Sequence, residues 1–351
     1  MSSLLEARDT FAAIERAWER GQKAALAMLI GVRGSAYRRP GAKMMMAQDN
    51  QMFGTLSGGC LEGDLYQRAE TLWDSGKALT VEYDLTENDM WGLGIGCKGA
   101  VEILVTPVEQ DQPFWRETFA RVARLEPLAW ASELPQGRLV ALSRDGETWG
   151  EALTPALRQA LEHALRETTR AEVKEIDGRK WVVDALLPPD PLVVAGAGHD
   201  AVPVVALAAQ VGFEVTVLDP RPAFNGPNRF ATPGVHFLVA EPETVSPETV
   251  SGRWWVIMNH NQRRDEAALN LAIASNPRWI GVLGPLSRTR EMLANIGHQM
   301  DDGPIVAPVG LDLGAEAPEE VAVSIVAQLM AERAGRQAEP LAGREKIHQR
   351  G

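Results

Sequence analysis

The chain is 351 residues long and 45% apolar, with 47 acidic against 35 basic side chains and a formal charge of -12. That length predicts two domains, and that charge opposes adhesion to DNA, RNA or anionic lipid. No apolar signal-type segment follows Met1, no apolar run approaches the roughly 18 residues of a membrane span, and two cysteines are too few for a disulfide scaffold or a four-thiolate metal site, so a reducing, cytoplasmic setting is predicted.

Leu5 to Gly21 has the spacing of an amphipathic helix ended by glycine. Ala24 to Ile30 reads as a buried strand that runs into a polar loop from Gly31 to Gly41. Two short strands, Lys43 to Met46 and Gln51 to Leu56, pair through Asp49-Asn50, and Ser57-Gly58-Gly59-Cys60 opens a helix from about Leu61 to Trp73. Glu62 and Asp64 fall in its first turn, where the helix dipole favours anions. Leu79 to Tyr83 and Val101 to Thr106 read as strands on either side of a glycine-dense loop that carries Trp91 and Cys97. The stretch from 108 to 190 reads as a linker or small intermediate module, with helices near Trp115 to Leu125 and Thr154 to Leu165 and strands near Leu139 to Leu142 and Trp181 to Leu187. Pro188-Pro189-Asp190-Pro191 forbids a continuous helix and marks a boundary, giving expected divisions at 1–107, 108–190, 191–334 and a frayed tail from 335 to 351.

Beyond that boundary the pattern becomes regular. Strands at Leu192 to Ala195, Glu214 to Leu218, His236 to Val239, Trp254 to Met258 and Trp279 to Val282 alternate with helices from Ala201 to Val211 and Arg263 to Asn276, and a last helix runs from Pro318 to about Ala334. Short apolar strands alternating with longer helices specify a parallel sheet covered on both faces, a Rossmann-like α/β domain. Gly196-Ala197-Gly198 is its turn, with Ala201 where a third glycine commonly stands and Asp219 at the end of the next strand. Such a turn lets backbone amides approach a phosphate, and an acid at that place accepts ribose hydroxyls. The same residues serve a packing turn equally well, and Arg221 two positions on offers Asp219 an ion-pair partner instead.

In this fold ligands lie beyond the carboxyl ends of the strands, which selects His199, Asp219, Asn259-His260-Asn261 and Gly284 to Arg288, with Asp265 nearby. His260 reads either as a ligand contact or as a loop residue that orients its asparagine neighbours; Arg288 reads as an anion contact, and Arg290 as that or part of a solvated face. Cys60 and Cys97 each sit in a glycine-dense loop. A thiol at a helix start is acidified and suits thiolate chemistry or a soft metal, and Lys98 acts in the same direction on Cys97; a buried small hydrophobe is the alternative for both. Either loop suits a dithiolene- or phosphate-bearing cofactor, with Arg33, Arg38 or Lys43 opposing its charge.

Several unconnected motifs in one order carry a family resemblance: Gly34-Ser35, Pro40 to Met44, Gly54, Gly58 to Glu62 and Gly94 to Cys97, then Gly196 to His199, Val217 to Arg221, Asn259-His260, Gly281 to Pro285, Pro308 to Gly314 and Pro318 to Glu320. On these residues the chain resembles the XdhC/CoxI family of accessory proteins for molybdenum hydroxylases such as xanthine dehydrogenase. The resemblance implies an N-terminal α/β domain of that type followed by the Rossmann-like parallel-sheet domain. It also implies a non-catalytic chaperone, a homodimer, that binds the molybdenum cofactor in its molybdopterin form. Such a protein protects the cofactor during sulfuration by a cysteine desulfurase and delivers it to an apo molybdenum hydroxylase. Cys60 matches the family's Gly-Gly-Cys motif and is the first candidate for contact with cofactor and metal. Cys97, Gly58, Gly59, Arg38 and Lys43 join it, and Gly196, Gly198, His199, Asp219, His260 and Arg288 are the candidates in the second half. Two departures stand out: Cys97-Lys98-Gly99 replaces the commoner Cys-Gly-Gly, and Asp200 follows His199 where an apolar residue is commoner. The competing readings are an NAD(P)-dependent oxidoreductase, with His199 or His260 as its acid/base group, and a non-catalytic docking protein.

Overall fold

The computed structural model describes residues 3–34, 36–59, 61–84, 99–166 and 170–343, so that Cys60, Cys97 and the rest of the loop from 85 to 98 lie outside the described residues. The chain divides into two compact units, one covering residues 3–188 and the other Pro189–Ala342.

The first unit begins with α1 (Ser3–Glu19), whose buried Leu4, Ala7, Phe11, Ile14 and Ala17 recur at three- and four-residue steps and give it one apolar stripe. It continues through β1 (Ala24–Gly34), β2 (Lys43–Ala47), β3 (Met52–Gly54), α2 (Glu62–Ser75), β4 (Leu79–Asp84) and β5 (Gly99–Val108). These strands form one antiparallel sheet in the order β3-β2-β1-β5-β4. The stretch from 113 to 186 builds a second sheet from α3 (Pro113–Ala123), β6 (Leu128–Leu134), β7 (Leu139–Ser143), β8 (Thr148–Gly150), α4 (Pro155–Arg166), β9 (Glu172–Ile176) and β10 (Arg179–Leu186), ordered β8-β7-β6-β10-β9 and likewise antiparallel.

Both sheets are buried on two faces, and the period of two decides which side chain goes where. On β1, Ala24, Leu26, Met28 and Ile30 enter a core shared with α1, α3 and the second sheet, while Ala25, Ala27 and Leu29 face α2. On β10, Val182 and Leu186 point into the shared core and Trp181, Val183 and Ala185 point to α4. The same alternation turns Lys43 of β2 and Asp184 of β10 toward each other, and their side chains meet at 2.6 Å with Lys43 only 1% exposed. Trp130 Nε1 also donates to Asp184, and Lys43 donates to the Gly41 carbonyl, so the buried pair is hydrogen-bonded on both sides.

The second unit is the parallel sheet. Its elements are β11 (Asp190–Ala195), α5 (Ala201–Gln210), β12 (Phe213–Leu218), β13 (His236–Leu238), β14 (Trp254–Ile257), α6 (Gln262–Ala274), β15 (Trp279–Val282), α7 (Leu286–Asn295), β16 (Ile305–Val306) and α8 (Pro318–Arg333). The strands are all parallel in the order β13-β12-β11-β14-β15-β16, which reverses direction between β11 and β14. One face is covered by α5 and α8 and the other by α6 and α7, as a sheet of fully buried Val, Ile and Trp requires. No described helix is long and apolar enough to cross a membrane.

Candidate functional site

Two neighbouring loops of the first sheet form the first candidate region. The turn after β3 is organised by Glu62, the first residue of α2, which is only 8% exposed. Its carboxylate accepts from the Thr55 hydroxyl at 2.8 Å, the Leu56 and Ser57 amides at 3.0 Å each, the Leu61 amide at 3.1 Å and the Ser57 hydroxyl. Residues on both sides of Gly58-Gly59 are thereby tied to one group. Burial opposes ionisation of Glu62, but the donors from Ser57, Thr55 and Leu56 outweigh it and hold the pKa at about 2. Gly58 and Gly59 have φ of 79° and 106°, a region that side chains with a Cβ avoid.

The loop after β1 lies against this turn. A Cβ placed on Gly58 would stand 3.7 Å from the Tyr37 ring, which is 65% exposed. Arg38 donates to the Thr55 carbonyl at 3.4 Å and to Glu6 of α1 at 2.6 Å. The structure thus brings Arg38, Gly58 and Gly59 together. Lys43 is directed elsewhere, its charge being met by Asp184 inside the shared core. On the other edge, the Tyr83 hydroxyl donates to Asp64 at 2.6 Å, and burial followed by that carboxylate raises the phenol pKa, so the end of β4 is fastened to α2.

The glycine turn of the parallel sheet is filled from within. Asp219 is 0% exposed and accepts from the Ala197 amide at 2.9 Å and from the Arg221 amide, Nε and Nη2 at 2.9, 2.9 and 2.6 Å. A carboxylate offers about four acceptor positions, and these four donors occupy them. Burial raises the Asp219 pKa and Arg221 lowers it, with a net decrease. Arg221 lies over the Phe224 ring at 4.4 Å, and Asn225 donates to the carbonyls of Val217, Asp219 and Leu238, which fixes the loop above the turn. Gly196 has its own packing reason, since a Cβ there would come within 2.6 Å of the Met258 carbonyl oxygen. The ribose diol of a dinucleotide finds no free acceptor on Asp219, so these residues do not fit that cofactor.

The remaining candidates lie along the same sheet edge in two pairs. His260 Nε2 meets Asp200 Oδ2 at 2.6 Å, joining the loop after β14 to the start of α5 across the point where strand order reverses. His199 is exposed beside it, and Gly198 lies under both, its position for a Cβ only 2.5 Å from Asp200 Oδ1. Arg288 pairs with buried Asp265, whose other oxygen accepts from the Asn259 amide and side chain at 2.9 and 3.1 Å. Among the described residues, no group of three or more His, Cys, Asp or Glu side chains can hold a metal ion. Four partners have no assignment from sequence: Glu62 as loop organiser, Glu6 for Arg38, Asp184 for Lys43 and Asp200 for His260. Only Glu62 has a local signal, a carboxylate directly after a Thr, Ser and Gly turn at a helix start.

Comparison with known proteins places both units. Residues 17–84 match the family described as XdhC and CoxI family, and residues 192–329 match the XdhC Rossmann domain. The chain is 30% identical over 328 residues to a probable xanthine dehydrogenase subunit of Bacillus subtilis (strain 168), covering 89% of this chain and 94% of that one. It is 23% identical over 319 residues to the molybdenum cofactor insertion chaperone PaoD of Escherichia coli (strain K12), covering 89% and 84%. The crystal structure of a Bacillus halodurans protein described as a xanthine dehydrogenase superposes with a TM-score of 0.76 at 29% identity, covering 97% of this chain and 99% of that one.

Proposed function

Because this chain belongs to the XdhC and CoxI family, we propose that it binds the molybdenum cofactor, shields it during sulfuration and hands it to an apo molybdenum hydroxylase. The observation that carries the reading is the turn from Thr55 to Leu61, held open as a frame by Glu62 beside Arg38 and Tyr37, in a chain similar over most of its length to a protein named as a cofactor insertion chaperone. The donor set suits such a guest. Left-handed glycines keep Cβ atoms out of the turn, an exposed phenol ring offers a face to a pterin, Arg38, whose charge Glu6 meets, anchors the turn through the Thr55 carbonyl, and the sequence sets Cys60, a soft ligand, directly after Gly59. When bound, the cofactor contributes the molybdenum centre; the chain's own residues bind, orient and exclude water.

The role is non-catalytic in this reading. Sulfur comes from a cysteine desulfurase, the chain acts as a homodimer in the cytoplasm, and Cys97 assists Cys60. Exposed His260 and His199, with half-buried Asp200 between them, offer a polar edge of the parallel-sheet unit to a ligand or client. Anaerobic purification from cells that make the cofactor, with molybdenum and pterin analysis, tests the proposal. The wild type is expected to retain both, and Cys60→Ala to lose about tenfold or more. Equal, negligible retention by the two proteins would overturn it.

A further inference from the structure

The connection from β11 to α5 has the parts of a phosphate seat. Gly196-Ala197-Gly198 leads from a buried strand toward a helix at the point where strand order reverses. Among the described residues, the backbone amides of Gly198, His199 and Asp200 have no hydrogen-bond partner, so donors stand free at the start of α5. In a dinucleotide-binding turn the second glycine is bare so that a diphosphate can lie against its α-carbon.

Asp200 already lies there. A Cβ on Gly198 would come within 2.5 Å of Asp200 Oδ1, nearer than to any other group, and within 3.8 Å of the His260 ring. The space that the missing side chain leaves is thus taken by a carboxylate oxygen. Its placing is not that of a capping side chain. Asp200 is the N-cap residue of α5, a role that aspartate fills well, yet its side chain makes no cap hydrogen bond. It is held from the other side, where Asp200 Oδ2 meets His260 Nε2 at 2.6 Å. His260 in turn has a φ of 56°, a left-handed conformation that strains a residue with a side chain. The backbone that carries it is fastened, because buried Asp265 accepts from both the amide and the side chain of Asn259. Two local preferences, the cap on α5 and the backbone of His260, are set aside, and both departures hold one carboxylate over Gly198.

We infer that Asp200 is a specificity-determining residue: its carboxylate is the chain's own anion in the phosphate seat of the parallel-sheet unit, latched by His260, and it excludes phosphorylated ligands from that turn. A negative charge beside the start of α5 answers the helix dipole that otherwise attracts a phosphate. A second anion brought against Gly198 would meet both the atoms and the charge of the first. The ligands left to this edge are uncharged or cationic. The exclusion is separate from the filling of Asp219 by Arg221, which concerns a ribose, and it does not rest on the cofactor reading, which concerns the first unit.

The test is calorimetric titration of the full chain with inorganic diphosphate at fixed ionic strength. The wild type is expected to show no saturable binding tighter than about 10 mM, and Asp200→Ala to bind at about 1 mM or tighter, a gain of about tenfold or more. Asp200 makes no cap bond and has an ordinary helical backbone, with φ of -70° and ψ of -23°, so the variant is expected to melt within about 5 °C of wild type. Asp200→Ser, short and able to cap α5, is the second variant and is expected to gain the same affinity. Asp200→Asn removes the charge but keeps its atoms over Gly198, and is expected to bind about threefold or more weaker than Asp200→Ala. Wild-type binding as tight as that of Asp200→Ala and Asp200→Ser, or no binding by any of the three, would overturn the inference. Equal affinity of Asp200→Asn and Asp200→Ala would overturn it as well, because the seat would then be closed by charge and not by its occupant.

Discussion

The turn at Gly58-Gly59 and the turn at Gly196-Ala197-Gly198 look alike in composition, and each is laid over a carboxylate with little exposure, yet the two are completed differently. Glu62 is surrounded by neutral donors, hydroxyls and amides of the loop itself, and its hydrogen bonds run to the residues flanking the glycines. Asp219 is completed by a guanidinium that lies across it, and one of the amides a phosphate would seek already donates to it. The glycines differ in the same sense. Among the described residues a Cβ on Gly59 would meet nothing within 4 Å, whereas one on Gly196 would run into the backbone of Met258 and Asn259. A glycine-rich turn is therefore open or closed according to where its hydrogen bonds end.

That contrast can be broken by experiment. Gly196→Ala combines a φ of 117° with a backbone clash and is expected to cost more than about 3 kcal/mol in chemical denaturation; a cost under about 1 kcal/mol would mean that the turn is not closed by packing. Glu62→Gln presents an amide nitrogen to donors and is expected to cost on the order of 3 kcal/mol at pH 7. Its pH signature has a definite sign: the carboxyl falls from an ordinary 4.5 to about 2 in the folded chain, so its contribution is present above pH 4.5 and fades as pH drops toward 2. The variant should lack that slope. Arg221→Ala leaves Asp219 without its cation but lets water in, because Arg221 is partly exposed, and roughly 2 kcal/mol is expected, below the value for a fully sealed pair. Gly58→Ala comes nearest, among the described residues, to the Tyr37 ring at an ordinary distance, and its left-handed backbone should cost about 1 kcal/mol. The smallest effect is expected from NADH itself: fluorescence titration of the wild type should show no saturable binding tighter than about 1 mM, and micromolar binding would reopen the dinucleotide reading.

The parallel sheet is readable from sequence because its strands are continuous apolar runs separated by helices of the right length, a pattern with few competing meanings. The second antiparallel sheet is legible only in part. Its β6, Leu-Ala-Trp-Ala-Ser-Glu-Leu, is rich in residues of low strand preference and is held by pairing to β7 and β10 on either side, and β9 carries three charged residues in five. The local option at Asp219, pairing with Arg221, is visible because the partners are two residues apart, and the structure adopts it. Lys43 reads as a cation for a ligand because Asp184 lies 141 positions away, and no window of sequence connects them. Asp200 stands out in sequence only as an unusual neighbour of His199; its contact with His260, 60 positions on, needs the fold.

The link between Lys43 and Asp184 also sets an order of events during synthesis. At about 5–20 residues per second, the ammonium leaves the ribosome roughly 7–28 s before its carboxylate. Until then the core shared by the two antiparallel sheets holds a charge with no counterpart, so a nascent chain released or cut before Asp184 is expected to stay loosely folded and to depend on holding factors. Both antiparallel sheets must be on hand before their common core can seal.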